Sequence, residues 1–231
     1  MLNILLTNDD GYTAKGINVM KSLLSKYGRV VVVAPKTVMS AKSIAISLGC
    51  PVNIEKHNDD LYVVEGTPGD CVTFGLGNLG IKFDLVVSGI NHGANLSYDT
   101  MYSGTVGACL QALTYRIPAI AVSCEFNFEL VEKYFDEVYR HILDNKLLST
   151  DFMLNINFPF GDKVEKIMLT NLYYRSETSY FEKNIDGSYY AKRVLHDEDC
   201  PDKESDVYAV HHHFVSITKL ARSLEYGRCD L

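Results

Sequence analysis

The stretch that decides the fold is Met1-Leu2-Asn3-Ile4-Leu5-Leu6-Thr7-Asn8-Asp9-Asp10-Gly11, an apolar run that ends in two carboxylates and a glycine. Such a run predicts a buried parallel strand with Asp9 and Asp10 at its C-terminal end. In open α/β sheets, ligands bind at this edge. Two adjacent negative charges repel each other unless a cation or several hydrogen-bond donors neutralise them. Oxygen ligands on a tight turn suit Mg²⁺ or Mn²⁺, and an acidic turn that caps the next helix is the structural alternative.

Strand-like and helix-like segments alternate through the first part of the chain, which predicts a parallel sheet covered by helices. We expect strands over residues 2–7, 29–35, 61–64, 84–89 and 119–123, and helices over 16–27, 104–115 and 128–144. After about residue 150 the pattern changes. Further strands are predicted over 152–158 and 214–218, and the tyrosine-rich stretch 172–210 fits a hairpin, an exposed arm or an oligomer contact.

Composition excludes several classes of protein. The net charge of −7 over 231 residues argues against a nucleic-acid binder and against attachment to an anionic membrane. No apolar stretch approaches the roughly 20 residues that span a bilayer. The N-terminus lacks a basic leader, so a cytoplasmic protein is expected. The cysteines have no CxxC spacing, which predicts reduced, buried thiols; they are Cys50, Cys71, Cys109, Cys124, Cys200 and Cys229.

Four polar clusters follow strand-like runs, at residues 8–11, 34–41, 87–95 and 102–107. Ser40 in the second cluster is, taken alone, an ordinary loop serine. The third cluster runs from Val87 to Asn95 and contains Asn91. Its small residues let backbone approach a ligand closely, and its amides offer neutral oxygens to a metal. A glycine-rich turn with asparagine in left-handed geometry is the alternative.

The fourth cluster, Tyr102-Ser103-Gly104-Thr105-Val106-Gly107, begins the predicted helix 104–115. Small and hydroxyl residues at a helix start leave backbone N–H groups available to an anion, most often phosphate. Alternatively, Ser103 or Thr105 only caps the helix. A metal site and a phosphate site at one sheet edge together predict a phosphoester substrate.

Three other features are ambiguous or argue against a site. Residues 66–71 could place Thr67 and Asp70 near a substrate, or form a turn with Asp70 as a helix cap. His211-His212-His213 precedes a strand, whose neighbouring side chains point to opposite faces, so we expect a non-functional, exposed edge. The stretch 11–16 lacks the Gly-Lys-Ser/Thr of a Walker-type phosphate loop.

The four clusters closely resemble those of the SurE family, the survival-protein phosphatases that act as 5′/3′-nucleotidases. The resemblance extends in consistent order to Gly66-Thr67-Pro68 with Asp70, to 117–123, to Leu154-Asn155-Ile156-Asn157-Phe158-Pro159 and to Asp206 with 215–218. The chain departs from the family pattern at Thr13-Ala14-Lys15-Gly16, where relatives often have His-Ala-Pro-Gly. It also has Val38-Met39 where relatives have an arginine near Ser40.

The resemblance implies an α/β, Rossmann-like three-layer fold around a parallel sheet, with a C-terminal β-rich extension. We expect a single domain over 1–231, with a core over about 1–170 and an arm over about 171–231 that mediates homodimer or homotetramer contacts. The implied activity is hydrolysis of nucleoside 5′-monophosphates, with 3′-monophosphates as a further substrate, to nucleoside and phosphate. The implied cofactor is one Mg²⁺ or Mn²⁺ per subunit.

By motif position, the resemblance makes Asp9, Asp10, Ser40 and Asn91 the metal ligands. The implied phosphate contacts are Asn8, Asn95, Ser103, Gly104 and Thr105. As a hypothesis for catalysis, Asp9 or Asp10 deprotonates the attacking water, and a covalent aspartyl-phosphate is the competing chemistry.

Two other classes of protein share parts of the pattern. A signalling receiver domain also carries an acidic pair after its first strand. It would need a phosphoacceptor aspartate after a third strand, whereas the later strands here end in Ser88-Gly89 and Ser123-Cys124. A non-catalytic nucleotide sensor on the same scaffold would bind nucleotide without releasing phosphate.

Overall fold

A nine-stranded sheet forms the centre of the protein, in a computed structural model that describes residues 1–125, 127–196 and 200–221. In chain order its strands are β1 (Leu2–Thr7), β2 (Gly28–Pro35), β3 (Ile54–Asn58), β4 (Leu61–Val64), β5 (Leu85–His92), β6 (Ala119–Cys124), β7 (Phe152–Asn157), β8 (Lys166–Thr170) and β11 (Phe214–Ala221). Their spatial order is β3-β4-β2-β1-β5-β6-β7-β11-β8. The two remaining strands, β9 (Ser176–Lys183) and β10 (Tyr189–His196), form a separate hairpin.

Six neighbouring strands of the sheet are parallel, in the spatial order β4, β2, β1, β5, β6 and β7. Strand β3 pairs antiparallel with β4, and β11 pairs antiparallel with β7. From β1 the chain moves outward to β2 and β4, and it then returns to the other side of β1 at β5. The strand order therefore reverses between β1 and β5. In open α/β sheets such a switch point is where a ligand-binding crevice forms, at the carboxyl ends of the strands.

Helices cover both faces of the sheet. They are α1 (Lys15–Leu24), α2 (Pro68–Asn78), α3 (Asp99–Tyr102), α4 (Gly104–Thr114), α5 (Phe128–Asp144) and α6 (Asp206–His211). Consecutive residues of β1 supply opposite cores: Ile4 and Leu6 pack with α1 and α5, and Leu5 packs with α2 and α4. This explains why the strand is apolar throughout rather than alternating. The predicted three-layer α/β architecture is confirmed.

Two strands of the main sheet, β3 and β8, were not predicted. Every residue of β3 is exposed, and β8 is the terminal strand at the other end of the sheet. Neither has the fully apolar sequence that marks a strand buried on both faces. Helix α1 ends at Leu24, three residues before the predicted end, and the Ser25 hydroxyl donates to the carbonyl of Lys21.

The tyrosine-rich stretch contains the hairpin β9–β10, which confirms the first of its three alternatives over residues 176–196. Within the predicted arm, β11 joins the main sheet between β7 and β8. The division at residue 170 stays a prediction.

The cysteines differ from one another in exposure. Cys71, Cys109 and Cys124 are buried as expected, whereas Cys200 is half-buried. The expectation of burial was wrong for Cys50, which is exposed because its loop packs no side chain over it. Cys229 lies outside the described residues. Among the described helices, none combines the length and the apolar character needed to cross a membrane.

Candidate active site

The acidic pair lies in the turn after β1, at the switch point of the sheet. Asp9 is only 3% exposed, and its Oδ1 accepts a hydrogen bond of 2.6 Å from the Thr105 hydroxyl. Asp10 is half-buried, and its Oδ2 accepts the backbone N–H of His92 at 3.2 Å. Asn8 braces the turn, since its amide nitrogen donates to the carbonyl of Gly11 at 2.9 Å.

Burial raises the pKa of both carboxyl groups above the usual range for aspartate. For Asp9 the negative charge of Asp10 raises the pKa further, and the Thr105 hydrogen bond opposes the shift. For Asp10 the backbone N–H of His92 opposes it. The few donors that reach the pair do not compensate its desolvation, so these two carboxylates favour a positively charged ligand.

Helix α4 is held against Asp9 by the absence of a side chain at Gly104. A Cβ at this position would lie 2.9 Å from the Cβ of Asp9 and 3.0 Å from its Oδ2. Ser103 is the N-cap of α4 and accepts the N–H of Val106 at 3.1 Å. Ser103 therefore does cap the helix, and it also lines the cleft described below. The Thr105 hydroxyl donates to Asp9, and the contact of the Thr105 backbone amide with a phosphate stays a prediction.

The loop after β2 carries Ser40 to the same place. The N–H of Met39 donates to the carbonyl of Asp9 at 2.7 Å, and the N–H of Ser43 donates to the carbonyl of Tyr102 at 2.9 Å. These two bonds fasten the loop to the β1 turn on one side and to α3 on the other. Ser40, between the two anchors, lines the cleft described below.

The end of β5 contributes Asn91. The register between β5 and β6 shifts between Gly89 and Asn91, and Gly89 has φ +131°. A Cβ on Gly89 would lie 2.3 Å from the carbonyl oxygen of Val122, so only glycine fits. The Asn91 amide nitrogen donates to the carbonyl of Gly93 at 2.7 Å, which leaves its amide oxygen as the atom for a cation.

A cleft of about 230 Å³ opens where these segments meet. Its lining combines residues from all four sequence clusters: Asp9, Ser40, Ala41, Asn91, His92, Gly93, Ala94, Asn95, Asp99, Tyr102 and Ser103. A larger cavity of about 460 Å³ lies beside β8 and β11. It contains no carboxylate and is remote from the switch point, so we assign the functional site to the smaller cleft.

The cleft unites most, but not all, of the predicted site residues. Asp9, Ser40, Asn91, Asn95 and Ser103 line it. The others are not among its lining residues: Asp10, Asn8, Gly104 and Thr105. Among this second group, Thr105 and Gly104 contact Asp9, so they shape the carboxylate rather than the space in front of it.

The donor set fits a hard divalent cation. Asp9, Asp10, Ser40 and Asn91 together offer carboxylate, hydroxyl and amide oxygens, which Mg²⁺ and Mn²⁺ prefer. Over the described part of the chain, no group of three or more His, Cys, Asp or Glu side chains is arranged to hold a metal. A metal site here would therefore depend on the neutral oxygens of Ser40 and Asn91 and on water.

Sequence reasoning missed Asp99 and Tyr102 at the rim of the cleft. Asp99 forms ion pairs with buried Arg175 and with Arg193 of β10, the latter at 2.7 Å. The Arg193 guanidinium also lies 5.6 Å from the ring centroid of Tyr102. These links bring the hairpin to the cleft. These contacts are visible only in the folded structure, because about 76 residues or more separate the partners in the sequence.

The two ambiguous features proved to be structural. Thr67 and Asp70 form a capping box at the start of α2: the Thr67 hydroxyl accepts the Asp70 N–H, and the Asp70 carboxylate accepts the Thr67 N–H. Neither lines the cleft. The histidine triplet lies at the end of α6, where His211 and His212 are exposed.

The fold and the cleft define a class: a doubly wound α/β protein with an oxygen-rich, acidic site at the switch point of its sheet. The comparisons then identify the family. A sequence model described as "Survival protein SurE" matches residues 4–179, and the chain belongs to the SurE family. The receiver-domain alternative is therefore wrong.

Individual relatives are similar to this chain over nearly its whole length. A protein of Thermosipho africanus named 5′-nucleotidase SurE is 39% identical over 95% of this chain and 91% of its own. A protein of the same name from Clostridium botulinum is 35% identical over 95% and 92%. The crystal structure of the SurE protein from Aquifex aeolicus superposes with a TM-score of 0.83 at 33% identity, over 97% of this chain and 95% of that one.

Proposed function

We propose that the protein is a divalent-metal-dependent 5′-nucleotidase that hydrolyses nucleoside 5′-monophosphates to nucleoside and inorganic phosphate. The observation that carries the proposal is the convergence of Asp9, Ser40 and Asn91 with Asn95 and Ser103 on one cleft. The first three offer oxygens to a cation, and the other two offer an amide and a hydroxyl to a phosphate. The naming of the relatives as 5′-nucleotidases supports the same reaction.

In this proposal Asp9, Asp10, Ser40 and Asn91 hold one Mg²⁺ or Mn²⁺. When bound, the cation neutralises the carboxylate pair and polarises the phosphate. Asn95 and Ser103 orient the phosphate, together with the backbone N–H groups of Gly104 and Thr105 at the start of α4, where the first N–H groups of a helix lack carbonyl partners in the helix.

Asp9 is the carboxylate that faces the phosphate, because Asp10 does not line the cleft. We propose that Asp9 accepts a proton from the attacking water. The new P–O bond forms as the ester P–O bond breaks, the leaving nucleoside oxygen takes up a proton from solvent water, and Asp9 then returns its proton to solvent. Single-turnover hydrolysis in H₂¹⁸O should place one ¹⁸O in the phosphate, and a search for phosphorylated protein in the quenched reaction, with none expected, distinguishes direct attack by water from the covalent route. A trapped phosphoaspartate would establish the covalent route instead.

The activity itself is tested by phosphate release from 5′-AMP and 5′-GMP, with 3′-AMP as the second substrate class. We expect release that requires Mn²⁺ or Mg²⁺ and that is lost in Asp9→Asn. Asp59→Asn, which neutralises an exposed carboxylate far from the cleft, is the matched control and should retain activity. A wild-type protein that binds AMP but releases no phosphate under any of these conditions would favour the nucleotide sensor.

We also propose that the protein forms a homodimer or homotetramer through the hairpin β9–β10. An isolated two-stranded hairpin is marginally stable in water. This one nevertheless exposes large apolar side chains: Tyr180, Phe181, Ile185, Tyr189, Tyr190, Val194 and Leu195. A second copy of the chain would cover them. In analytical ultracentrifugation, Phe181→Glu should lower the mass of the oligomer, whereas Leu143→Glu on α5 should leave it unchanged. An unchanged oligomer mass for Phe181→Glu would refute a contact through the hairpin.

A further inference from the structure

Asn95 of the cleft is restrained by four hydrogen bonds to buried strand residues. Its N–H donates to Asn157 Oδ1 at 2.8 Å, and its carbonyl accepts from Asn155 Nδ2 at 2.8 Å and from Asn157 Nδ2 at 3.1 Å. Its side-chain amide donates to Ser123 Oγ at 2.9 Å. Both its backbone and its side chain are therefore fixed from behind. We call Ser123, Asn155 and Asn157 the Asn95 clamp.

The clamp is built into the sheet by strand register. Asn155 and Asn157 are two residues apart on β7 and so point to the same face. Ser123 on β6 is the register partner of Asn157. All three side chains are fully buried. Three polar side chains on β6 and β7 thus bond to Asn95, which lies about 28 to 62 positions away from them in the sequence.

Burial of these side chains argues for a purpose beyond packing. A buried polar group must find a partner, and in a parallel strand an apolar side chain avoids that requirement. The remaining residues of β7 are apolar, and only Asn155 and Asn157 interrupt the run Phe152-Met153-Leu154-Asn155-Ile156-Asn157. The buried Asn155 Oδ1 has no hydrogen-bond partner among the described residues, but the other polar groups of the clamp bond to Asn95 and so restrict it to one conformation.

The clamp restrains the side-chain amide of Asn95, which can donate to a ligand in the cleft. Phosphate oxygens accept hydrogen bonds, so a phosphate site needs donors. One N–H of the Asn95 side-chain amide donates to Ser123. With the amide nitrogen fixed on that side, the second N–H is the donor left for the cleft that Asn95 lines.

We propose that Ser123, Asn155 and Asn157 are positioning residues that orient the Asn95 amide toward the phosphate group of the substrate. This inference rests on the proposed function, because it takes a phosphate as the ligand of the cleft. It assigns to β6 and β7 a part in the reaction, although neither strand reaches the substrate itself.

A double-mutant cycle tests the proposal, with Ser123→Ala as the first change because it removes only the hydroxyl. The readouts are KM and kcat for 5′-AMP, the inhibition constant of inorganic phosphate, and the dissociation constant of Mn²⁺. Loss of one hydrogen bond to Asn95 should weaken phosphate inhibition about 3–10-fold. Mn²⁺ binding should stay within about twofold: Ser123 is the register partner of Asn91 on β5, but the substitution removes only a hydroxyl that bonds to Asn95.

The second half of the cycle repeats Ser123→Ala in an Asn95→Ala background, where it should have no further effect on phosphate. An equal effect in both backgrounds would overturn the proposal, because Ser123 would then act without Asn95. Asn157→Leu, which removes the backbone part of the clamp, should show the same dependence on Asn95. Circular dichroism and thermal denaturation establish that each variant is folded.

Thr170→Val is the matched control. Thr170 is buried in the same sheet, and its hydroxyl bonds to those of Ser216 and Thr218 rather than to the clamp. It should lower Tm without changing phosphate inhibition. If the wild type binds phosphate but hydrolyses no nucleotide, the proposed activity is wrong. The double-mutant cycle can then be measured by phosphate binding in calorimetry, and it still tests whether the clamp orients Asn95.

Discussion

The contact between helix α4 and Asp9 leads to a sharp prediction for Gly104→Ala. The new Cβ would lie 2.9 Å from the Cβ of Asp9 and 3.2 Å from the carbonyl oxygen of Met39. Carbon atoms pack best at about 3.5–4.0 Å, so the helix and the carboxylate must separate by roughly 0.6–1.1 Å. Overpacking of this size costs about 1–3 kcal/mol.

Two measurements follow from that displacement. In a protein of this size, 1 kcal/mol shifts Tm by about 2–4 °C, so we expect Gly104→Ala to lower Tm by roughly 2–12 °C. A misplacement of about 1 Å in a reacting group costs about 100-fold in rate. We therefore expect kcat/KM for 5′-AMP to fall about 10–100-fold, together with weaker Mn²⁺ binding, because Asp9 is a proposed ligand.

Gly77→Ala is the control for this change. Gly77 lies in α2, and a Cβ there would approach nothing closer than the Tyr115 hydroxyl at 3.9 Å. Alanine in an open helical position stabilises by up to about 1 kcal/mol. The reasoning would be refuted if Gly104→Ala bound Mn²⁺ and turned over AMP as well as Gly77→Ala does.

Three further predictions concern charge and burial. First, burial raises the pKa of Asp9 and Asp10, so the folded, metal-free protein holds protons that the unfolded chain releases. Its stability should fall as pH rises from about 4 through the raised pKa values, and this slope should be smaller in Asp9→Asn when Tm is measured from pH 4 to 8. Second, Thr105→Val removes the 2.6 Å hydrogen bond to Asp9 and should weaken Mn²⁺ binding in calorimetry, whereas Thr73→Val on α2 should not. Third, buried Asp206 accepts three backbone N–H groups, those of Ser97, Tyr173 and Val207, so Asp206→Asn places a donor against a donor. A loss of about 1–3 kcal/mol in urea unfolding is expected, and an unchanged midpoint would contradict it.

Much of the fold could be predicted because β1, β2, β5 and β6 are buried on both faces. A strand of this kind is a run of apolar residues, and the chain breaks each run with polar or glycine residues at the carboxyl end. The edge strand β3 lacked that signal, since it has no buried face.

Most of the residues that line the cleft could be predicted from the sequence, but the residues that hold them in place could not. Asp9, Ser40 and Asn91 belong to short, compact motifs, so their types and order were visible in the sequence. The partners of Asn95 come from β6 and β7, and only strand pairing reveals that they meet it. The asparagines that interrupt β7 were the one available signal. The hydrogen bond from the Thr105 hydroxyl to Asp9 was not predicted, because it depends on the packing of the first turn of α4 against the carboxylate.

The Asn95 clamp has a consequence for the order in which the protein is made. Synthesis proceeds from the N-terminus, and domains assemble as their segments emerge. Every proposed contact to metal or phosphate lies within the first 105 residues, whereas Asn155 and Asn157 emerge later, and their strand β7 pairs with β11 at residues 214–221. A nascent chain thus contains every proposed metal and phosphate contact before it contains Asn155 and Asn157, so Asn95 can be held in place only after β7 has been synthesised.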